Sequence, residues 1–416
     1  MTRIPYPEAF DAVPKNFRSG THRLRAPEDT LAHASMIARA LGITRIANVT
    51  GLDCIGVPVA MAYRPNSRSL AVSPGKGLDL VSAKTSAIME SIEGWHAERI
   101  LSPLVLASIN ELRFERSLID VAKLPRRVGG ELNENVRMLW IEGEDALGGG
   151  SLWMPFELVH MNFSLPLPSS SGALLSSSNG LASGNHVLEA ASHGICEIVE
   201  RDASTLWRAL DVAARQDRKI DLFTVDDAGC RWVIERFEAA RCIFAAWEIT
   251  SDIGIPAYRC ALLDPTPTTG RSYLPGIGMG CHPSREVALL RALTEAAQTR
   301  LTLISGARDD MNVEHYTRAS DPVAIERLLR DIAGAGTRDF TTCPTFVGET
   351  VNADVAWELE RLRDANVQQV AVVDLTKPQL RIPVVRVVIP GLEGIPDATG
   401  YVPGRRYHAA VAGGAT

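Results

Sequence analysis

Two stretches of the 416-residue sequence carry glutamates three residues apart among mostly apolar neighbours: Glu90 with Glu93, and Glu197 with Glu200. Residues at i and i+3 lie on one face of a helix, so each pair places two carboxylates side by side. A carboxylate on a largely buried helix is costly unless a cation or hydrogen bonds compensate it. Two such helices facing each other would form a four-carboxylate pocket, whose hard oxygen ligands suit Mg²⁺ together with phosphate oxygens. The spacing therefore predicts a site for a magnesium-bound nucleotide.

Arginines accompany the second carboxylate pair and a third segment of the same kind. Arg201 directly follows Glu200, and Arg291 stands one helical turn before Glu295. A guanidinium can bind phosphate oxygens through two parallel hydrogen bonds. These arginines are therefore candidates for contacts with the nucleotide phosphates. The competing interpretation is that Arg201 only forms a salt bridge with its carboxylate neighbours.

The three segments are copies of one pattern. Segments that begin at Gly77, Gly184 and His282 align without gaps. An alanine, a small residue and a glutamate coincide in all copies, at Ala83, Ala190 and Ala288, at Ala87, Gly194 and Ala292, and at Glu90, Glu197 and Glu295. The copies are too far apart for a solenoid repeat. We therefore interpret the chain as three elaborated copies of one strand-to-helix unit.

Other motifs support other chemistry less well. Glu93 and His96 have the E-x-x-H spacing of di-iron carboxylate bundles, but that site needs the motif twice and Ala203 stands in place of the second histidine. SPGKG (73–77) and GIGMGC (276–281) lack the glycine spacing of phosphate loops, and their glycines could form turns or face a ligand. No C-x-x-C pair occurs among the seven cysteines. The sequence also lacks local signatures of Ser/His/Asp or Cys/His catalysis, so the catalytic residues are unknown. His193 could equally be a packed helix residue or a ligand-binding residue.

These motifs require a mixed set of helices and strands to position them. Helices are predicted from Asp29 to the stop at Gly42, and over 82–99, 192–204, 285–303, 321–334 and 351–365. Strand-like runs lie between them without a strict β-α-β rhythm. We therefore predict an α+β fold, with an irregular segment over 1–30 and one large domain over 31–416. The Ser/Gly-rich stretch 167–184 is interpreted as a functional loop because it leads into a helix N-terminus.

The composition is that of an ordinary, mildly acidic soluble protein, with 46% hydrophobic residues, 22% charged residues and a formal net charge of −6. No basic surplus points to nucleic acid as a partner. No signal peptide is found, and no window reaches the roughly 18 apolar residues of a membrane span. We therefore expect a cytoplasmic protein with reduced thiols and no membrane partner.

The same segments resemble the YcaO family, whose members use ATP to activate peptide backbone amides. The resemblance lies in residues 44–65, 73–93, 178–203, 278–300 and 382–393. It implies a YcaO-like domain around a site for ATP and Mg²⁺. It implies magnesium ligation by Glu90, Glu93, Glu197 and Glu200. It implies nucleotide contacts at Asn185, Glu189, Arg201, Arg291 and Glu295, and, from the early basic and hydroxyl positions, at Arg23 and Thr30.

The resemblance also implies a reaction. A nucleophile adds to an amide carbon, the amide oxygen attacks the γ-phosphorus of ATP, and phosphate then leaves. A neighbouring side chain as nucleophile gives an azoline, sulfide gives a thioamide, usually with a TfuA partner, an amine gives an amidine, and water gives cleavage. Azoline-forming relatives commonly end in a Pro-x-Pro-x-Pro tail, whereas this sequence ends VPGRRYHAAVAGGAT. We therefore expect thioamide formation with a TfuA-like partner ahead of the other outcomes.

The expected partners are a precursor peptide or protein, a TfuA-like protein and a second copy of the chain in a homodimer. A hypothesis from another class is a regulator that binds ATP without modifying a peptide. The two hypotheses differ in turnover, because only the enzyme should release phosphate faster when peptide and nucleophile are present.

Overall fold

The computed structural model describes residue 7 and residues 10–168, 170–264, 275–396 and 398–413. Within them the helices are α1 (Pro27–Ala38), α2 (Leu80–Ala97), α3 (Ile109–Leu112), α4 (Val187–Ala209), α5 (Val212–Asp217), α6 (Ala228–Ala239), α7 (Arg285–Ser305), α8 (Val313–Ala319), α9 (Pro322–Ile332), α10 (Val351–Asp364) and α11 (Arg405–Gly413). The strands are β1 (Arg45–Asn48), β2 (Val59–Tyr63), β3 (Val72–Lys76), β4 (Leu104–Ala107), β5 (Met138–Asp145), β6 (Ser151–Pro155), β7 (Leu181–Ser183), β8 (Ile220–Asp221), β9 (Ile243–Glu248), β10 (Ala257–Leu263), β11 (Gly276–Cys281), β12 (Arg338–Asp339), β13 (Ala371–Asp374) and β14 (Val384–Val388). This mixture confirms the predicted α+β class. None of the described helices combines the length and the apolar character that crossing a membrane requires.

The strands form three larger sheets. One is antiparallel with the order β1-β2-β3, and a second is antiparallel with the order β11-β10-β9. The third follows the path β4-β5-β13-β14-β7, with β6 paired to β5, and β8 and β12 form a separate short parallel pair. Strands β3, β7 and β11 therefore each lie at the end of a different sheet.

Each aligned segment of the sequence folds as a strand followed by a long helix: β3 and α2, β7 and α4, β11 and α7. The turn between strand and helix ends in a side chain that caps the helix. Asp79, His186 and Ser284 each accept a hydrogen bond from a backbone amide in the first turn of their helix. Such a cap satisfies an amide that has no partner within the helix, and it fixes where each helix begins.

The three strand-helix units close on one another in a ring. Helix α2 packs on its own strand β3 and on β7, α4 packs on β7 and on β11, and α7 packs on β11 and on β3. Each helix therefore completes its packing with the strand of another unit. The glutamates at the shared position of the pattern, Glu90, Glu197 and Glu295, consequently face one common space.

Glycines let the helices approach the strands closely. A Cβ on Gly75 would lie 2.1 Å from the backbone nitrogen of Ala87, and one on Gly278 would lie 2.1 Å from the carbonyl oxygen of Ala292. In the middle unit the small residue is Gly194 on the helix, where a Cβ would lie 2.6 Å from a side chain of β14. The small residue shared by the three copies is thus a contact point, and Gly278 in GIGMGC serves helix packing.

The chain before α1, residues 13–25, folds back on itself between Phe17 and Arg23, and we call it the N-terminal strap. Pro14 pairs with Thr350 at the start of α10, and Phe17 pairs with Arg23 through two backbone hydrogen bonds of 2.9 and 2.8 Å. Helix α1 then begins at Pro27, two residues before the predicted start, because proline suits the first turn of a helix. The segment predicted as irregular therefore has a defined course over its described residues.

Candidate functional site

A cavity of about 530 Å³ lies where α2, α4, α7 and the N-terminal strap meet. It is lined by all eleven residues that the sequence assigns to metal or nucleotide binding: Arg23, Thr30, Glu90, Glu93, Asn185, Glu189, Glu197, Glu200, Arg201, Arg291 and Glu295. The ring of three units explains their convergence, because each long helix turns the same face toward the centre. Their separate roles in binding stay predictions.

Four carboxylates form what we call the acidic wall of the cavity: Glu90 and Glu93 on α2, and Glu197 and Glu200 on α4. One oxygen of Glu93 accepts hydrogen bonds from the backbone amide and the hydroxyl of Ser183, at 2.8 and 2.6 Å. The guanidinium of Arg201 lies 3.4 Å from Glu200 and 3.9 Å from Glu197. Arg201 thus forms the salt bridges considered from the sequence, and it also lines the cavity.

Burial raises the carboxyl pKa values throughout the acidic wall. The pKa of Glu93 rises to about 8, mainly through burial and further through the charges of Glu90 and Glu197, although hydrogen bonds from Ser183 oppose the rise. Burial also raises the pKa of Glu200 to about 7, and the pKa of Glu90 is raised as well although its side chain is open to solvent at the cavity. A raised carboxyl pKa means that the surroundings do not compensate the negative charge. The surrounding protein groups therefore compensate the carboxylates of the acidic wall only in part.

The glutamate of the third unit has a partner of its own. Glu295 lies 2.5 Å from the ammonium group of Lys76, the last residue of β3. Burial acts to raise the pKa of Glu295, but the charges of Lys76 and Arg201 outweigh it, so the pKa is lowered. The charge of Glu295 is therefore compensated within the protein, whereas in the acidic wall the nearby cations do not offset the effect of burial.

Arg23 and Arg291 form the basic end of the cavity. Nη1 of Arg291 donates a hydrogen bond to the carbonyl oxygen of Cys281 at 3.1 Å and lies 3.3 Å from Nδ1 of His193. Among the described residues, these neutral groups are its hydrogen-bond partners. Burial and the nearby charge of Arg23 lower the pKa of Arg291. A half-buried guanidinium held by neutral partners suits an anionic ligand such as a phosphate group.

A hydrogen-bond network joins the N-terminal strap to the start of α4. The Glu189 carboxylate lies 3.3 Å from the Arg23 guanidinium and accepts from the Leu24 amide at 3.1 Å. The side-chain amide of Asn185 donates to Glu189 at 3.4 Å, and the Thr30 hydroxyl donates to Asn185 at 3.0 Å. Four residues predicted to contact the nucleotide are therefore in direct contact with one another.

The donor set of the cavity fits a magnesium nucleotide. The acidic wall offers only carboxylate oxygens, which Mg²⁺ prefers together with phosphate oxygens and water. The basic end offers the donors that a polyphosphate needs. The di-iron alternative is wrong, because His96 does not line the cavity that the glutamates share.

Sequence reasoning missed several residues that shape the cavity. Lys76 belongs to SPGKG, whose spacing does not match a phosphate loop, and nothing indicated that its ammonium group would meet Glu295. Arg308 opposes the rise in the pKa of Glu90 and carries no motif. His193 had a signal, because it aligns with Arg291 in the repeat, and the ring of units brings these two side chains into contact.

Comparisons with known proteins agree with this arrangement. A family model described as YcaO cyclodehydratase, ATP- and Mg²⁺-binding, matches residues 74–393. An uncharacterized protein from the tfuA 3' region of Rhizobium leguminosarum bv. trifolii is 36% identical over 377 residues, which cover 89% of this chain and 88% of that protein. An uncharacterized protein of Methanothermobacter thermautotrophicus is 32% identical over 371 residues, covering 88% of this chain and 94% of that protein.

Two solved structures share the fold. A heterocyclase in complex with substrate and cofactor superposes with a TM-score of 0.79 at 21% identity, over 97% of this chain and 56% of the heterocyclase. The YcaO protein from Methanopyrus kandleri, bound with AMPPCP and Mg²⁺, superposes with a TM-score of 0.71 at 23% identity, over 94% of this chain and 99% of that protein. The chain thus spans little more than half of the heterocyclase and nearly all of the M. kandleri protein.

Proposed function

Because this chain belongs to the YcaO family, which binds ATP and Mg²⁺, we propose that it phosphorylates the oxygen of a peptide backbone amide and converts that amide to a thioamide. The observation that carries the nucleotide-binding part of the proposal is the division of one cavity into an acidic wall with incompletely compensated carboxylates and a basic end where the half-buried Arg291 has neutral hydrogen-bond partners. A magnesium-bound polyphosphate supplies both missing charges at once. No single-charge ligand would do so.

The residues divide between the two parts of this ligand. Glu90, Glu93, Glu197 and Glu200 hold the metal, and Arg291 and Arg23 contact the phosphates. When bound, Mg²⁺ offsets negative charge on the transferring phosphoryl group. Arg291 is held by His193 and Cys281 before the ligand arrives, so little reorganisation is needed when it meets the phosphate.

The proposed reaction balances with hydrosulfide as the nucleophile. Hydrosulfide adds to the amide carbon, the former carbonyl oxygen attacks the γ-phosphorus, and ADP leaves. Loss of inorganic phosphate then breaks the carbon–oxygen bond, the phosphate takes up the proton of the S–H group, and a carbon–sulfur double bond remains. Phosphorylation is needed because it turns a poor oxygen leaving group into a good one.

The choice of sulfide rests on the relative from the tfuA 3' region, which matches this chain over most of both lengths. We propose a TfuA-like protein as the partner that assists sulfur delivery, and a ribosomally made peptide or protein as the substrate. Formation of an azoline is the second candidate, because the structurally similar heterocyclase was solved with its substrate and cofactor.

Mass spectrometry of a precursor peptide co-expressed with the protein and a TfuA-like protein tests the proposal. A thioamide adds about 16 mass units, an azoline removes about 18 with one water, and cleavage adds about 18 across two fragments. We expect the gain of about 16, dependent on ATP and sulfide, and its absence with the Glu200→Gln variant. Loss of water without sulfide would instead identify a cyclodehydratase. Phosphate release that peptide and sulfide do not accelerate would favour the ATP-binding regulator.

A further inference from the structure

A second cluster of polar side chains lies directly behind the basic end of the cavity. Lys15 in the N-terminal strap lies 2.6 Å from an oxygen of Asp354 on α10 and donates to the carbonyl oxygen of Gly348 at 2.9 Å. His22, also in the strap, packs edge-to-face on His282 with 5.1 Å between ring centroids. We call Lys15, His22, His282 and Asp354 the strap anchor. It fastens the strap to α10 and to the turn before α7.

The anchor contains the histidine and carboxylate residues of a metal site, but its histidine rings do not carry their protons where metal ligands carry them. Nδ1 of His282 accepts a hydrogen bond from the Ser284 amide at 3.0 Å, which places the ring proton on Nε2. Nδ1 of His22 faces the Lys15 ammonium at 3.5 Å, with the same consequence. A metal-binding imidazole donates from its second nitrogen, and neither ring does so here. The ammonium group of Lys15 occupies the place beside Asp354 that a cation would need.

The anchor is buried and in part unsatisfied. The side chains of Lys15 and Asp354 are only 1% and 4% exposed. The second carboxylate oxygen of Asp354 has no hydrogen-bond partner within the described part of the chain. A buried ion pair of this kind often adds little stability compared with apolar residues of similar size, and some such pairs instead fix one specific arrangement. The anchor therefore calls for an explanation other than stability.

The anchor leads along the strap to the nucleotide cavity. Arg23 directly follows His22, and its backbone pairs with Phe17 on the other arm of the strap. Its guanidinium and the next backbone amide, that of Leu24, both meet Glu189. Arg23, Glu189, His193 and Arg291 also line the small space between the anchor and the main cavity. A shift of the strap would thus move Arg23 relative to Arg291.

We infer that Lys15 and Asp354 are positioning residues for nucleotide binding: their buried ion pair fixes the strap so that Arg23 stands opposite Arg291 at the phosphates. The inference rests on the proposed function, since it assumes that Arg23 contacts the nucleotide. The anchor acts only through Arg23, and it holds together two like-charged guanidinium groups that would otherwise move apart. It therefore governs the affinity for ATP and leaves the chemical step alone.

The test is a double-mutant cycle between the anchor and Arg23. The Lys15→Met, Asp354→Leu double variant replaces the pair by apolar residues of similar volume, and Kd for Mg²⁺ with a non-hydrolysable ATP analogue is measured by calorimetry. We expect binding to weaken about tenfold or more, since small misplacements of a binding group have large effects. In an Arg23→Ala background the same replacement should weaken binding less than about twofold, because coupled residues are not additive.

A matched control exists on the same strap. Arg18 and Glu349 form an ion pair whose side chains are 40% and 89% exposed, so Arg18→Met with Glu349→Leu should leave Kd unchanged. With peptide turnover as a second readout, KM for ATP should rise in the Lys15→Met, Asp354→Leu variant while kcat at saturating ATP stays constant. If that variant fails to fold, the isosteric Asp354→Asn takes its place in the cycle.

The outcomes separate the inference from the proposed function. Equal weakening in both backgrounds, an unchanged Kd, or a fall in kcat alone would overturn the positioning role. Normal binding by Arg23→Ala would do the same, while leaving a magnesium-nucleotide site in place. Wild-type protein that binds no nucleotide would overturn the proposed function and the inference together.

Discussion

The acidic wall and the basic end of the cavity both hold charged side chains whose charge is not fully compensated, and the charges of the two regions have opposite sign. The carboxyl groups of the wall have raised pKa values, whereas the guanidinium of Arg291 has a lowered pKa, and burial is the main cause in both. Arg201 forms ion pairs with two carboxylates of the wall, and the charges of Arg308 and Lys76 oppose the rise in the pKa of Glu90. Arg291 instead has neutral hydrogen-bond partners. Two uncompensated regions of opposite sign in one cavity indicate a ligand that carries both charges.

The pair formed by Lys76 and Glu295 shows that the fold compensates one carboxylate of the cavity with a cation of its own. Glu295 occupies the same position of the repeat as Glu90 and Glu197, yet its pKa is lowered, because Lys76 lies 2.5 Å away. The third unit also replaces the second glutamate of the pair with Gln298. Two units therefore carry a pair of carboxylates with raised pKa values, whereas the third unit carries one carboxylate that is paired with Lys76.

The largest expected effect comes from removing a charge of the acidic wall. Glu197→Gln and Glu200→Gln keep the side-chain volume but lose a charged ligand, so we expect kcat/KM to fall by about 100-fold or more. Melting curves with and without Mg²⁺ and an ATP analogue should show that the variants fold but gain little stability from the ligand. Glu326→Gln, on the exposed face of α9, is the matched control. If Mg²⁺ and the ATP analogue raised the melting temperature of wild type and both variants equally, the acidic wall would not be the part of the cavity that binds the metal.

A smaller effect is expected at the basic end. Arg291→Lys keeps the positive charge but loses the planar group that meets two oxygens at once, so ATP-dependent activity should fall by at least about tenfold. Initial rates over a series of ATP concentrations measure the change, and Arg327→Lys on the exposed face of α9 serves as the control. Full activity in Arg291→Lys would show that only its charge, or only its contact with Cys281, is required.

The smallest expected effect is a pH dependence of the melting temperature, which should differ between the protein without ligand and the protein with Mg²⁺ and an ATP analogue. The carboxyl pKa values of about 7 and 8 in the acidic wall lie above the ordinary 4.5. The folded protein thus retains protons that the unfolded chain has released, so this contribution to stability is complete below pH 4.5 and is lost as the pH rises through 7 to 8. Metal binding has the opposite sign, because it requires deprotonated ligands.

Differential scanning fluorimetry between pH 6 and pH 8.5 measures both trends. With EDTA the melting temperature should fall by a few degrees as the pH rises, and the gain from Mg²⁺ with an ATP analogue should grow over the same range. In the Glu93→Gln variant the fall should be smaller, since the group with the highest of these pKa values no longer titrates. A melting temperature independent of pH in wild type would show that the wall is already compensated.

Much of the site was predictable because the same residue types recur at the same positions in three segments of the sequence. Recurrence of Glu90, Glu197 and Glu295 in register pointed to one face of three helices, and the α+β class followed from the irregular mixture of strand and helix signals. The limits of α7 were close, since it ends at Ser305 rather than at the predicted residue 303 and a left-handed Gly306 follows it. Helix α4 is longer than predicted, because it covers Val187–Ala209 rather than 192–204.

What the sequence did not indicate depends on contacts between distant segments. The Lys76–Glu295 pair joins β3 to α7, and the Lys15–Asp354 pair joins the strap to α10. Neither pair has a local spacing rule, because the ring of units decides which elements meet. Helix α6 was also missed: its glycine and cysteine at 229 and 230 are weak helix formers, and its Asp227 cap and its packing against α7 compensate for them.

The closed ring of strand-helix units has a consequence for the order of folding. Contact between α7 and β3 joins segments from the early and the late parts of the chain, and contacts of such long range form slowly. During synthesis β3 emerges long before α7. The surface of β3 that α7 covers in the finished fold therefore stays uncovered while most of the chain is made. The cavity closes only when that contact forms, and the nucleotide then stabilises the completed fold by mass action. A chain truncated before α7 should therefore have no ATP-binding activity.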